Sequence, residues 1–250
     1  MSGHNKWSSI KHRKASVDAK RGNTFTKIIK EITMAARTGG GNPDNNARLR
    51  RAMDDARQAN MPQDNIKKAI QRGTGELPGV TYEELIYEGY GPGGVAVIVK
   101  VTTDNKNRSA SEVRCIFSKH GGNMGETGCV AWMFEQRGFI VVAKQVIKED
   151  ELMNIVIESG ADDLKKAEDS TFEVITKPEN FDAVKKVLEE KNVSLESAEI
   201  TMLPQTYIAL EGKQAEQMIR LMDNLEDNDD VQKVYANFDI PQTLLENMED

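Results

Sequence analysis

Two hydrophobic periods run along the chain, and the change from one to the other divides it near residue 78. In FTKIIKEITMAAR, Phe25, Ile28, Ile29, Ile32 and Ala36 recur three and four residues apart, with Lys27, Lys30 and Arg37 on the other side, which predicts an amphipathic helix. GGGNPDNN breaks it. The next segment repeats the design, with Leu49, Ala52, Met53 and Ala56 as the apolar stripe and Arg50 and Arg57 along one flank. A third short helix follows MPQD, with Ile66, Ala69 and Ile70 inward. It is expected to end at Arg72-Gly73, where glycine can supply a left-handed cap. Such narrow, alanine-rich stripes suit a small bundle with a modest core, and TGELPGVT reads as its closing link.

Beyond that link the period shortens to that of strands. ELIYEGY and GVAVIVKV are strand-like, SASEVRCIFSKHGG reads as a helix with Val113, Ile116 and Phe117 inward, and CVAWMF as a strand. Strand GFIVVA, helix EDELMNIVIES, a strand near ADDLKKAE, strand TFEVIT, helix PENFDAVKKVLEE and strand AEITML then give the order β-α-β-β-α-β, the ferredoxin-like arrangement. A strand TYIALE, a helix KQAEQMIRLMDNLED and a strand VQKVYANF complete the pattern. The earlier β-β-α-β and this late β-α-β make a second unit of the same kind, joined either in tandem with an exchanged half or by insertion. Insertion is preferred, because TFEVITKPENFDAVKKVLEE and TYIALEGKQAEQMIRLMDNLED share a strand, a turn and a helix at matching offsets. The expected fold class is therefore α+β: an N-terminal helical bundle (1–78) followed by two ferredoxin-like α/β domains, 81–134 plus 204–240 and, inserted in it, 136–203.

Charge follows the same division. Residues 1–72 hold 16 Lys/Arg against 6 Asp/Glu, a balance of +10, and residues 73–250 hold 17 against 34, a balance of −17, within a chain of 250 residues and net charge −7. A cationic module on an acidic protein points to a polyanionic partner, since clustered cations gain free energy by releasing the counterions condensed on phosphates. The densest part is HNKWSSIKHRKASVDAKRG, where His4, Lys6, Trp7, Lys11, His12, Arg13, Lys14, Lys20 and Arg21 set an aromatic ring among cations, suited to stacking on bases and contacting phosphates. A solvated tail with Trp7 docked on the bundle is the competing reading, and a basic mitochondrial presequence a lesser one. Lys30, Arg37, Arg50, Arg51, Arg57, Lys67 and Lys68 carry positive charge on through the module and join the candidate nucleic-acid-binding set.

The remaining motifs carry less chemistry. GYGPGG matches a dinucleotide fingerprint only formally: it opens a strand rather than a helix, and a hairpin turn is the better reading. Cys115 and Cys129 form no framework and read as small apolar fillers, and His4, His12 and His120 have no metal spacing. No catalytic residue, metal or cofactor is expected. DNLEDNDD lacks the turn glycine and terminal Glu of a calcium loop and reads as a solvated acidic loop. TDNKNRS joins a strand to a helix start and makes Lys106 and Arg108 a candidate anion site. The plainer alternative is a turn formed by Asp104 and Asn105, with Asn107 or Ser109 capping the helix. No run is long and apolar enough for a membrane span, and a reducing cytoplasm is the expected compartment.

GHNKWSSIKHRKASVDAKRG, FTKIIKEI, RTGGGNPDNNARLR, ANMPQDNI, RGTGE, YEGYGPGGVAVIV, TDNKNRS, SEVR and FSKHGGNMGETGCVAWMF, in this order, resemble the recurrent blocks of the YebC family over nearly the full chain. Small departures are Asn5 where serine is common, Lys106 where arginine is usual and Ala47 where a proline often stands. The resemblance implies a helical N-terminal domain, two α/β domains and a non-enzymatic role in gene expression. Some members are described as transcriptional regulators that bind DNA. Others resemble translation factors acting at the ribosome, including on proline-rich stretches, or mitochondrial translational activators of a cytochrome oxidase subunit. The partners implied are DNA or ribosomal RNA, with ribosomal or transcription proteins beside them and no membrane. A ligand sensor or enzyme using an interdomain cleft is the remote alternative.

Overall fold

The computed structural model describes residues 18–166 and 171–241, with side chains from residue 22 onward. Helices α1 (Asp18–Gly39), α2 (Ala47–Gln58) and α3 (Gln63–Thr74) open the fold, and α1 packs against both of the shorter helices. Their core holds Ile32, Ala35, Ala36, Leu49, Ala52, Ala56, Met61, Ile66 and Ala69, with Phe25, Ile28 and Ile29 only partly buried at its edge. The break between α1 and α2 is organised by Asn46. Its buried side chain accepts from Leu49 N (3.0 Å) as the N-cap of α2 and donates to Ala35 O (2.8 Å) and Gly40 O (2.9 Å) near the end of α1. One expectation is corrected here: α3 does not stop at Gly73. Gly73 lies inside the helix because α1 passes so close that a Cβ there would stand 2.4 Å from Thr33 O, and Gly75, at φ +83°, takes the left-handed cap.

Strands β1 (Glu83–Tyr90) and β2 (Ala96–Thr103) pair antiparallel from Glu83↔Thr103 to Tyr90↔Ala96, so GYGPGG is the turn of a hairpin, closed by Gly91 N to Val95 O (2.7 Å). Helix α4 (Lys106–Lys119) leads to the two-residue strand β3 (Asn123–Met124). CVAWMF is not the strand expected from its apolar run: it is a loop and a 3-10 turn at Ala131–Met133, and only Phe134 belongs to the strand that follows. The reason is Glu88. Its buried carboxylate accepts from the amides of Gly128 (2.6 Å), Val130 (2.8 Å) and Ala131 (2.8 Å), groups that a strand would offer to a neighbour.

The chain then makes a complete unit: β4 (Phe134–Ala143), α5 (Glu149–Glu158), β5 (Asp163–Lys166), β6 (Thr171–Thr176), α6 (Phe181–Glu190) and β7 (Leu195–Pro204). Its sheet order is β5-β6-β4-β7, all antiparallel, which is the ferredoxin-like order. Ile140, Val142, Phe172 and Val174 from the sheet meet Leu152 and Val156 of α5 and Phe181, Val184 and Leu188 of α6 in one core.

After it come the two-residue strand β8 (Ile208–Ala209), α7 (Gly212–Asp227) and β9 (Val231–Ala236). Strand β9 pairs with β2, completing a sheet of order β3-β1-β2-β9 on which α4 and α7 pack, with Val97, Val99, Val101, Val113, Phe117, Met218 and Met222 fully or almost fully buried. This is a ferredoxin-like sheet split by the insertion, with one permutation: β1, first in the chain, occupies the place of the third strand. TYIALE is accordingly no member of this sheet, and the expected repeat holds for α6 and α7 but not for their preceding strands. The fold class is thus α+β, a helical bundle followed by two ferredoxin-like domains, one inserted in the other. By compactness the chain falls into two units, one built on the residues up to Ala131 with Ile208–Ala236 and the other on Trp132–Tyr207. The helices and the split sheet share the first.

Candidate nucleic-acid interface

The cations of the bundle separate into a set turned inward and a set turned outward. Asn23, Lys27 and Lys30 lie four and three residues apart on one face of α1 and reach the end of α7 and the loop after it. Asn23 donates to Asp227 O (2.8 Å), Lys27 to Glu226 O and Lys30 to Asp229 O (2.8 Å), which satisfies carbonyls at a helix C-terminus where positive charge is favoured. Lys30 is only 6% exposed, and its Nζ also meets Asp230 Oδ1 at 2.7 Å. Lys30 therefore does not present its charge outward as expected of a phosphate contact.

Asp230 is the hub of this junction. Thr103 Oγ1 (2.9 Å) and Arg108 Nη2 (2.8 Å) donate to its Oδ2, and its own amide is held by Asn228 Oδ1 (2.9 Å). Burial alone would raise the carboxyl pKa, but hydrogen bonds from Lys30, Arg108 and Thr103 outweigh it, so the group is held below the usual carboxylate range. DNLEDNDD is thus neither a loop throughout nor wholly solvated: its first five residues end α7, and Leu225 and Asp230 are buried.

The same contacts correct the anion-site expectation. Arg108 carries Asp104 (2.7 Å) and Asp230 (2.8 Å) on its guanidinium, so its charge is already met by two carboxylates. The cap of α4 is Asn105, whose Oδ1 accepts from Arg108 N (3.1 Å), rather than Asn107 or Ser109. Ser109 is buried with its Oγ 3.0 Å from Tyr87 Oη. Lys106 remains exposed beside this turn. Arg48, absent from the expected set, forms a bidentate pair with Glu31 (2.7 and 2.8 Å) and bridges to Glu84 of β1. The Glu31 hydrogen bonds, against the opposing effect of burial, hold its pKa above the ordinary value.

The outward set lies mainly on α2 and α3. Arg50, Arg57, Lys67 and Lys68 are exposed, and Arg51 is half-buried. Arg57 pairs with Asp54 (2.6 Å) and Arg50 donates to Pro43 O (3.2 Å), contacts at exposed positions that a phosphate can displace at little cost. Arg37 is exposed and donates to Tyr82 O (3.0 Å). The expected contacts at His4, Lys6, Trp7, Lys11, His12, Arg13 and Lys14 lie outside the described residues, as do the side chains of Lys20 and Arg21.

Among the described residues no group of three or more His, Cys, Asp or Glu could hold a metal, and no helix is long and apolar enough to cross a membrane. Cys115 is exposed rather than a buried filler, and Cys129 is half-buried. Sequence periodicity misses Asp230 because its partners lie 122 to 200 residues away. The one local signal is its place directly before the buried strand β9.

Two carboxylates with depressed pKa values, Asp230 and Glu88, set an acid limit on stability. For Glu88 burial again acts upward, and the amides of Gly128, Val130 and Ala131 more than offset it. Such groups contribute their full stabilisation above their unfolded values, about 3.9 for Asp and 4.3 for Glu, and lose it as pH falls through the lower folded values. Urea midpoints are expected to be flat from neutral pH down to about 5 and to drop steeply below 4. Replacement of both residues by their amides should flatten the acid limb.

Comparison with known proteins gives a consistent result over the whole chain. Residues 5–76 match the model described as the TACO1/YebC protein N-terminal domain, and residues 82–238 the model of the TACO1/YebC second and third domain. A protein of Endomicrobium trichonymphae named "Probable transcriptional regulatory protein" is 59% identical over 249 residues, covering 99% of each chain. One of Dictyoglomus turgidum with the same name is 56% identical over 249 residues, covering 99% of this chain and 100% of its own. Among solved structures, a conserved hypothetical protein from Aquifex aeolicus superposes with a TM-score of 0.80 at 49% identity, covering 91% of this chain and 93% of its own.

Proposed function

As the chain belongs to the TACO1/YebC family, we propose that it is a non-enzymatic, nucleic-acid-binding regulator of gene expression, acting in the cytoplasm as a DNA-binding transcriptional regulator. The observation that carries the reading is the outward cation set of Arg50, Arg57, Lys67 and Lys68 on the two short helices, beside a leading segment that is basic in sequence. Inward cations fix the bundle on the split sheet through Asp230 and Glu84, which leaves the outward ones on a firm frame from which to meet phosphates. The relatives' names support the transcriptional form of this reading.

A second reading, a ribosome-associated translation factor that binds structured RNA and relieves stalling, is favoured by one feature of the bundle. α2 and α3 pack mainly on α1 rather than on one another, unlike a helix-turn-helix in which one helix supports a recognition helix for the major groove. Recognition of backbone and shape follows more naturally from such a bundle. Co-sedimentation with ribosomes at physiological salt, compared with retention on promoter DNA, separates the two. Whichever polyanion is bound, neutralising about six phosphates gives a log-log salt slope of roughly −5. Affinity that does not change with salt would rule out both readings.

A further inference from the structure

Between α2 and α3 lies a hollow of about 500 Å³ that the bundle leaves open. Its floor is apolar: Met53 from α2 and Ile66 and Ile70 from α3, the same side chains that border the bundle core. Its walls carry Asn42, Gln63 and Gln71, carboxamides that each offer two donors and an acceptor. Lys67 lines the α3 wall. On α2, Arg50 and Arg57 stand three residues before and four after Met53 and so on the same helix side, Arg57 paired with Asp54 at 2.6 Å. The acid at the rim, Glu76, lies at one end, where its Oε1 is 3.1 Å from Thr74 Oγ1.

We propose that this hollow receives one unstacked nucleobase of a single-stranded segment, with Arg50, Arg57 and Lys67 on the flanking phosphates. The inference rests on the nucleic-acid reading above and deepens it by naming the form of the ligand. An apolar floor takes a base's π-face, carboxamides take its polar edge, and rim cations take the backbone, which is the combination single-stranded recognition uses. An amphipathic peptide helix would use the floor but leave the three carboxamides and Lys67 unexplained. A duplex cannot present a base to the hollow without first unstacking it.

The test uses the full chain and fluorescence anisotropy at physiological salt with three probes: a short mixed-sequence single strand, the same strand carrying abasic sites, and its duplex. The base-bearing strand is expected to bind about 10-fold more tightly than the abasic one, and more tightly than the duplex. The double variant Gln63→Ala, Gln71→Ala removes the groups on the base's polar edge and leaves the floor, so it should shrink the difference between the two strands several-fold while keeping salt-dependent binding. Gln63 is exposed and Gln71 half-buried on α3, and alanine is a better helix former, so the thermal melt should change little. Equal affinity for the two strands, preference for the duplex, or a variant in which the difference between the strands is undiminished would overturn the inference and leave the nucleic-acid reading standing. Failure to bind any probe or ribosomes would remove both. A change in sedimenting mass in the variant, without a change in strand affinity, would make the hollow a self-association surface and equally overturn the inference.

Discussion

Replacing Asp230 with alanine is expected to remove about 3–5 kcal/mol of stability, the range found when one partner of a buried ion pair is deleted. The large figure follows from what stays behind. Lys30 and Asp230 have side chains 8% and 6% exposed, so the deletion strands an ammonium group away from water with the Asp229 carbonyl and, 5.8 Å away, the Tyr82 ring as its partners, and no counter-charge. Thr103 loses an acceptor as well, while Arg108 keeps Asp104 at a half-exposed site and adds little to the cost. The pair in isolation is not the source of that stability, because charge desolvation and Coulomb attraction nearly cancel. The double variant Lys30→Met, Asp230→Leu should therefore recover most of the loss. Chemical denaturation followed by far-UV circular dichroism checks both. A single-variant loss under 1 kcal/mol would mean that water or a shift of α1 solvates Lys30, contrary to its burial.

This junction also shows where the sequence is legible. The stripe positions Ile32, Ala36, Leu49, Ala52, Ala56, Ile66 and Ala69 are all in the bundle core, because a helix period is a local property that a single segment displays. The inserted unit is equally readable, since each of its strands and helices carries its own pattern and its crossovers follow chain order. What fails is non-local. Strand β1 sits in the third-strand place, and Glu88 diverts the Val130 and Ala131 amides from a strand to a loop, through contacts some 40 residues apart. Charge is the least legible feature. Lys30 and Lys68 look alike along the chain, yet one is buried against an aspartate 200 residues away and the other is exposed, and only the fold distinguishes them.

That distinction yields the second large effect. Removing Arg50, Arg57, Lys67 and Lys68 together by alanine substitution is expected to lower the magnitude of the log-log salt slope by about 3 to 4, because each phosphate neutralised contributes roughly 0.9 on duplex DNA and somewhat less on single strands. Affinity near 0.1 M salt, one decade below 1 M, should fall about 1000- to 10000-fold, an estimate from the same counterion release. Stability should hardly change, since all four positions are exposed and lie on helices, where alanine is the best former. The Lys30→Met, Asp230→Leu variant is the informative control. It also removes a cation from α1, but one already neutralised within the fold, so its salt slope should match that of the parent chain. A slope unchanged in the fourfold variant would move the phosphate contacts off α2 and α3 and onto the basic segment 4–22. A slope reduced by the Lys30 control would show that the buried pair opens when the polyanion binds, making α1 part of the interface.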